Sequence, residues 1–277
     1  MKIDGIEGKT TLNNGVKMPY LGLGVYQAQE GEQVSLAIKY ALEAGYRHID
    51  TASFYSNEKG VGKAINDSGI DRSEIFVTTK VWNADQGYDK TLKAFDVSLA
   101  NLHFDYIDLY LVHWPVKGKY KDTWRAIEEI YKTGKVKAIG VSNFLQFQLE
   151  DLLETANVVP AVNQMEFHPY LVQQSLIDFC VSKGIQYQSW SPLMVGKVTQ
   201  IPLLNEIGKK YGKTPVQVVI RWNLQKGVVV IPKSVHRERI IANADVFDFE
   251  LSNDEIAKIN ALDRNERTGP DPADFNF

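Results

Sequence analysis

Four ionisable residues stand where short apolar or β-branched runs of the chain end. Asp50 closes Arg47-His48-Ile49-Asp50, Lys80 closes IFVTTK at 75–80, and His113 closes IDLYLVH at 107–113. Tyr55 lies in the loop just after Asp50. A phenol titrates at about pH 10, too high for an efficient acid at neutral pH. A nearby ammonium would stabilise the phenolate and lower that value. A carboxylate would hold the ammonium in place, and an imidazole would steer a carbonyl oxygen toward the phenol. Such a set donates a proton to a carbonyl oxygen while a second group attacks the carbon. It contains no reductant and no nucleophile with a base beside it, so a hydride-donating cofactor is the missing part. Taken singly, each residue has a structural explanation: a turn aspartate, a solvated lysine, a satisfied loop histidine, a packed tyrosine. Their convergence on one rim favours the chemical reading.

That convergence requires a particular order of elements. Asn13-Asn14-Gly15 is a hairpin signal. Strands are predicted at 21–25, 47–50, 75–80, 107–113, 136–141, 161–166, 185–190 and 228–231. Helices are predicted at 33–44, 57–68, 88–102, 123–132, 147–155, 173–183, 203–211, 215–225 and 237–244. In the first helix Val34, Ala37, Ile38, Ala41 and Leu42 form one apolar stripe, and Gly45 follows at the C′ position. An extra helix over 252–262 opens on Ser252 with Glu255 as its capping-box partner. The stretch 265–277, rich in Pro, Asp and Asn, reads as a loop-like tail. Near-continuous apolar strands mark burial on both faces, as in parallel sheets. The expected fold is therefore an α/β (β/α)8 TIM barrel with an N-terminal β-hairpin and an extra C-terminal helix, one domain over 1–277. A doubly wound open sheet is the alternative. In a barrel the strand ends share one face, which places all four residues together.

Composition removes several classes of function. The 277 residues carry 31 Lys plus Arg against 34 Asp plus Glu, a net charge of −3, which lacks the basic excess of a general nucleic-acid binder. A single cysteine, Cys180, cannot form an intrachain disulfide and fits a reducing, cytoplasmic setting. No apolar run approaches the roughly 20 residues of a membrane span, and residues 1–10 lack the apolar core of a signal peptide. With His at 48, 103, 113, 168 and 236 and one Cys, no protein metal site is expected. The outer helices show no apolar surplus, so a monomer is expected. Gly22-x-Gly24 starts a dinucleotide fingerprint, but Gln27 stands where the third glycine belongs. Gly62-Lys63 resembles the end of a phosphate loop, but Asn57 replaces its first glycine.

Four segments together resemble the aldo-keto reductases. They are Gly45 to Glu58 (GYRHIDTASFYSNE), Ile107 to Pro115 (IDLYLVHWP), Lys137 to Phe144 (KAIGVSNF) and Ile231 to Val235 (IPKSV). They occur in family order, and the likeness runs from about residue 10 to the C-terminus. The close of the chain, Arg267 to Pro272 (RTGPDP), is similar to the 2,5-diketo-D-gluconate and glyoxal/methylglyoxal reductase branch and to protozoan prostaglandin F synthases. The resemblance implies a barrel that uses NADPH without a Rossmann fold. It implies Tyr55 as general acid, Lys80 lowering its pKa, Asp50 paired with Lys80, and His113 orienting the carbonyl. It implies that Ser142, Asn143 and Gln164 hold the nicotinamide carboxamide, that Trp190 stacks on its ring, and that Ser191-Pro192-Leu193 wraps the pyrophosphate. Lys233, Ser234 and Arg239 would bind the adenosine 2′-phosphate, where two cations and a hydroxyl suit a dianion, and Val235 beside them would also contact the cofactor. Asn243 would lie beside the adenine. Ala242 departs from the family's acidic or amide residue there. Arg237 is either a further phosphate contact or a solvated helix-start charge.

Tyr26, Trp82 and Trp114 match aromatic positions that line the family's substrate pocket, an apolar slot with few charged contacts. The loops after Trp82 and Trp114 are short, giving an open mouth. The expected activity is NADPH-dependent reduction of small aldehydes, α-dicarbonyls such as methylglyoxal, and keto-sugar acids. The rivals are a prostaglandin-type ketone reductase on the same site and a nicotinamide-cofactor-binding protein without significant turnover.

Overall fold

Asn13-Asn14-Gly15 turns the chain back on itself in the computed structural model, which describes residues 3–274. Gly15 adopts φ +88°, the left-handed region that glycine enters without a Cβ penalty. The turn joins β1 (Lys9–Thr11) to β2 (Lys17–Pro19) as an antiparallel pair.

Eight parallel strands follow, side by side in chain order: β3 (Leu23–Gly24), β4 (His48–Asp50), β5 (Phe76–Val81), β6 (Ile107–Val112), β7 (Val136–Ser142), β8 (Val162–Glu166), β9 (Gln186–Trp190) and β10 (Val229–Val230). The two ends of the sheet meet. Gly22 N–H donates to the Val230 carbonyl at 2.9 Å, and Val230 N–H donates to the Tyr20 carbonyl at 2.8 Å. Parallel bridges at Leu21–Val230 and Gly24–Lys233 complete the seam. The doubly wound alternative is thereby excluded. The seam also explains the glycines of the broken fingerprint. A Cβ on Gly22 would lie 2.7 Å from the His48 ring, and one on Gly24 would lie 3.0 Å from the Ile231 carbonyl oxygen. Gly62 likewise lets a helix touch the Leu102 carbonyl. These glycines serve close packing.

The outer helices are α1 (Glu32–Glu43), α2 (Glu58–Asn66), α3 (Tyr88–Leu102), α4 (Tyr120–Lys132), α5 (Gln146–Leu153), α6 (Gln174–Ser182), α7 (Pro202–Tyr211), α8 (Pro215–Gln225), α9 (Arg237–Ala244) and α10 (Asn253–Asn260). The five apolar residues predicted for the inner face of α1 are its five buried residues. Ser252 caps α10, with Ser252 Oγ accepting from Glu255 N–H at 3.2 Å and Glu255 Oε2 accepting from Ser252 N–H at 2.8 Å. Strands β5 and β6 are buried along their whole length, as expected of strands covered on both faces. No helix among the described residues is long and apolar enough to cross a membrane.

The expected loop-like tail behaves differently from a solvated tail. Residues 265–274 form no helix or strand, but they are fastened across the barrel mouth. Buried Glu166, at the end of β8, accepts from the Thr268 amide and hydroxyl at 2.5 Å each. Gln148 Nε2 donates to the Pro272 carbonyl at 3.1 Å. Residues 275–277 of the predicted tail lie outside the described residues.

Candidate active site

Asp50 ends β4, Lys80 is the last residue but one of β5, His113 directly follows β6, and Tyr55 closes a 3₁₀ turn over Ser53–Tyr55 that follows β4. The sequence reading missed that turn, which points Tyr55 back at its neighbours. Ser53 Oγ donates to the Lys80 carbonyl at 3.0 Å. Thr51 Oγ1 donates to Asn57 Oδ1 at 2.7 Å, and Asn57 Nδ2 donates to the Val25 and Ala28 carbonyls at 3.0 Å each. The loop is thus tied to the seam at one end and to β5 at the other.

Lys80 is completely buried. Its Nζ donates to Asp50 Oδ1 at 2.5 Å and to the Thr51 carbonyl at 2.8 Å. The ammonium lies 5.1 Å from the Tyr55 ring centroid. Burial presses the Lys80 pKa down and the Asp50 pKa up, and their mutual attraction opposes both shifts. The Tyr55 ring is 5.8 Å from the His113 ring at 74°. Burial and then the Lys80 charge hold His113 well below the ordinary histidine value, which keeps the imidazole neutral.

Tyr55 is pushed well above the ordinary phenol value, first by desolvation and then by the negative charge of Asp50. The phenol is protonated at neutral pH, as an ordinary phenol already is, and the Lys80 ammonium 5.1 Å from its ring centroid is the charge that would lower the cost of giving the proton up.

Aromatic residues frame this cluster. Tyr26 lies 4.9 Å from Tyr55, and Trp82 lies 5.1 Å from His113, ring to ring. Phe54, which the sequence reading did not select, stacks on Trp82 at 3.8 Å and 19°. Its position directly before Tyr55 in the chain was the available signal. Trp114 is buried beside His113, and its carbonyl accepts from Gln86 Nε2 at 2.7 Å.

The residues singled out for a nicotinamide join the same cluster. Gln164 Nε2 donates to Asp50 Oδ2 at 2.7 Å. Ser142 Oγ donates to the Gln164 carbonyl at 2.9 Å. Asn143, at φ +66°, donates through Nδ2 to the His113 carbonyl at 2.9 Å and accepts from Trp190 Nε1 at 2.8 Å. Trp190 is thereby fixed in rotation about its ring, as a stacking surface must be. Ser191, at φ +50°, begins a tightly wound loop whose Leu193 is half-buried.

The expected phosphate group follows β10. The Gly24 bridge places Lys233 at the barrel seam, with partial desolvation lowering its pKa. Ser234 is buried, and its Oγ accepts from His236 N–H at 3.1 Å. Val235 is half-buried, Arg239 is exposed on α9, and Asn243 is buried on the same helix. Arg237 stands over the Tyr40 ring at 5.9 Å. Two surface grooves of about 650 and 770 Å³ contain none of these residues. Among the described residues no cluster of three or more His, Cys, Asp or Glu is placed to hold a metal.

A closed parallel barrel carrying a buried Lys–Asp pair beside a tyrosine and a neutral histidine defines a class of carbonyl-handling oxidoreductase. The aldo/keto reductase family model matches residues 20–264, and the chain belongs to that family. It is 54% identical over 266 residues to glyoxal reductase of Bacillus subtilis, covering 96% of each chain. It is 51% identical over 268 residues to the 9,11-endoperoxide prostaglandin H2 reductase of Trypanosoma cruzi, covering 96% of this chain and 95% of that one. A crystal structure of a Gox0644 mutant in complex with NADPH superposes with a TM-score of 0.93 at 43% identity, covering 98% of this chain and 99% of that one.

Proposed function

We propose that this chain, as a single barrel domain, uses NADPH to reduce small aldehydes, α-dicarbonyls such as methylglyoxal, and keto-sugar acids to alcohols. The observation that carries the reading is the buried Lys80–Asp50–Gln164 chain, which ties the proton-donating cluster to the nicotinamide group of residues. When bound, NADPH supplies the hydride. Tyr55 gives its phenolic proton to the carbonyl oxygen. The Lys80 ammonium steadies the phenolate that results, and Asp50 fixes the ammonium. Neutral His113 orients the carbonyl oxygen toward Tyr55. Tyr26, Phe54, Trp82 and Trp114 exclude water and hold the carbon skeleton by apolar contact.

The donor set fits the cofactor. Gln164, Ser142 and Asn143 are buried polar groups beside a fixed indole, and Lys233, Ser234 and Arg239 offer two cations and a hydroxyl to a 2′-phosphate. That group favours NADPH over NADH. The relative that is a glyoxal reductase supports the α-dicarbonyl assignment. A cytoplasmic monomer acting on a free small molecule completes the reading.

The test is NADPH oxidation, followed by absorbance, with methylglyoxal, glyoxal, an aromatic aldehyde and a keto-sugar acid, with NADH in parallel. Turnover of the α-dicarbonyls with NADPH and little with NADH is expected. Tight NADPH binding with no turnover on any of them would replace the reading with a cofactor-binding protein or a prostaglandin-type ketone reductase. Tyr55→Phe is expected to lower kcat by about 10²- to 10⁴-fold while NADPH affinity stays within a factor of about two.

A further inference from the structure

Inside the barrel, Gln164 on β8 and Gln188 on β9 are direct partners in the parallel register, and both are buried. Gln164 Nε2 donates to Asp50 Oδ2 at 2.7 Å and to Gln188 Oε1 at 3.1 Å. An amide nitrogen carries two hydrogens. Both are therefore spent inside the barrel. The orientation of the amide follows from Asp50, because an ionised carboxylate only accepts. Asp50 already takes Lys80 on Oδ1, so its Oδ2 calls for the nitrogen end of Gln164. Gln188 then offers its oxygen to the second hydrogen. Its own Nε2 is left buried with no hydrogen-bond partner among the described residues. A buried unpaired donor costs about 1–3 kcal/mol, so packing alone gives no reason for an amide at this position.

We propose that Gln188 is a positioning residue that takes the second hydrogen of the Gln164 amide and, together with Asp50, keeps its nitrogen inward, so that only its oxygen can meet a bound nicotinamide. Gln164 Oε1 can then accept from an N–H and cannot donate. The site selects the –NH2 of a carboxamide over a methyl group in the same place. The inference rests on the proposed placement of the nicotinamide at Gln164.

The experiment is equilibrium binding of NADP⁺ and of its 3-acetylpyridine analogue, in which methyl replaces the amide –NH2. The proteins are wild type, Gln188→Met and Gln188→Glu, each also measured for thermal stability. Wild type is expected to favour NADP⁺ about tenfold, the worth of one well-made hydrogen bond. Gln188→Met has similar volume and lacks both the acceptor and the orphaned donor. It is expected to keep or raise Tm while its preference drops to about twofold or less. Gln188→Glu keeps an acceptor oxygen and is expected to restore the preference. An unchanged preference in Gln188→Met overturns the proposal, as does a parallel loss of both affinities together with stability. A wild type that binds both molecules equally overturns it while leaving the cofactor reading intact. A wild type that binds neither NADP⁺ nor NADPH overturns the cofactor reading and the proposal with it.

Discussion

Tyr55 and His113 are both shifted by burial, in opposite directions, and each shift favours the neutral form. The pH dependence of the proposed reduction follows from those signs. Raising the Tyr55 pKa keeps the acid protonated, and activity is lost only as pH rises through the raised value. Lowering the His113 pKa removes any imidazolium titration near the ordinary value. The profile of kcat/KM is expected to be flat from about pH 6 to about pH 9, with no limb at the ordinary histidine value of about 6.5. An acid limb at that value, absent from a His113→Asn variant, would show a protonated imidazole in the working enzyme. Arg239 lends itself to a separate check, since it is exposed on α9 and replacing it leaves no buried gap. Arg239→Ala is expected to weaken NADPH binding about tenfold or more and leave NADH binding unchanged. A hydrogen bond to a charged group contributes about 1.5–3 kcal/mol. Equal weakening of both cofactors would place Arg239 away from the 2′-phosphate.

Among the elements, the segment past α10 carries information that its composition hides. Glu166 gathers Thr268 and His168, and a Cβ on Gly269 would lie 2.5 Å from the Trp190 ring. Gly269→Ala is expected to push this strap or Trp190 out of place. Faster protease cleavage near residue 269 and a shifted tryptophan emission would report it. Burial opposes ionisation of Glu166, yet the bonds from His168 and Thr268 hold its pKa below the ordinary value. A depressed native pKa gives docking stability that is present above the unfolded value, about 4.3, and is lost as pH falls through the native value. The strap is therefore expected to stay protected at neutral pH and to become cleavable only in stronger acid. Protease sensitivity that rises already near neutral pH would contradict this. The stretch 265–277 looked like a tail because Pro, Asp and Asn mark irregular backbone, and nothing local tells a solvated loop from one fastened to a buried carboxylate on β8. The capped helix α10 was readable because both halves of its capping box lie within one turn.

The whole molecule depends on closing the sheet between β3 and β10. Those strands are short, and the seam is carried by backbone bonds across Gly22 and Gly24. Gly24→Ala places a methyl 3.0 Å from the Ile231 carbonyl oxygen, which as backbone has little room to yield. A loss of about 1–3 kcal/mol is expected, read as a lower Tm and a lower denaturant midpoint. An unchanged midpoint would mean that the seam can relax.

Residue order alone determined the alternation of strands and helices, the inner stripe of α1, the cap of α10 and the gathering of Asp50, Lys80 and His113, with the loop residue Tyr55, at one face. Each is set by neighbours a few positions apart, or by the rule that parallel barrel strands deliver their ends to one face. The tertiary structure decided what depends on distant partners. It closed the sheet, paired the Lys80 ammonium with Asp50 and Thr51, and desolvated Tyr55. It stacked Phe54 on Trp82, turned the tail into a strap and set Gln188 opposite Gln164. Desolvation and cross-barrel hydrogen bonds act between residues far apart in the chain, and their balance exists only once the barrel has closed.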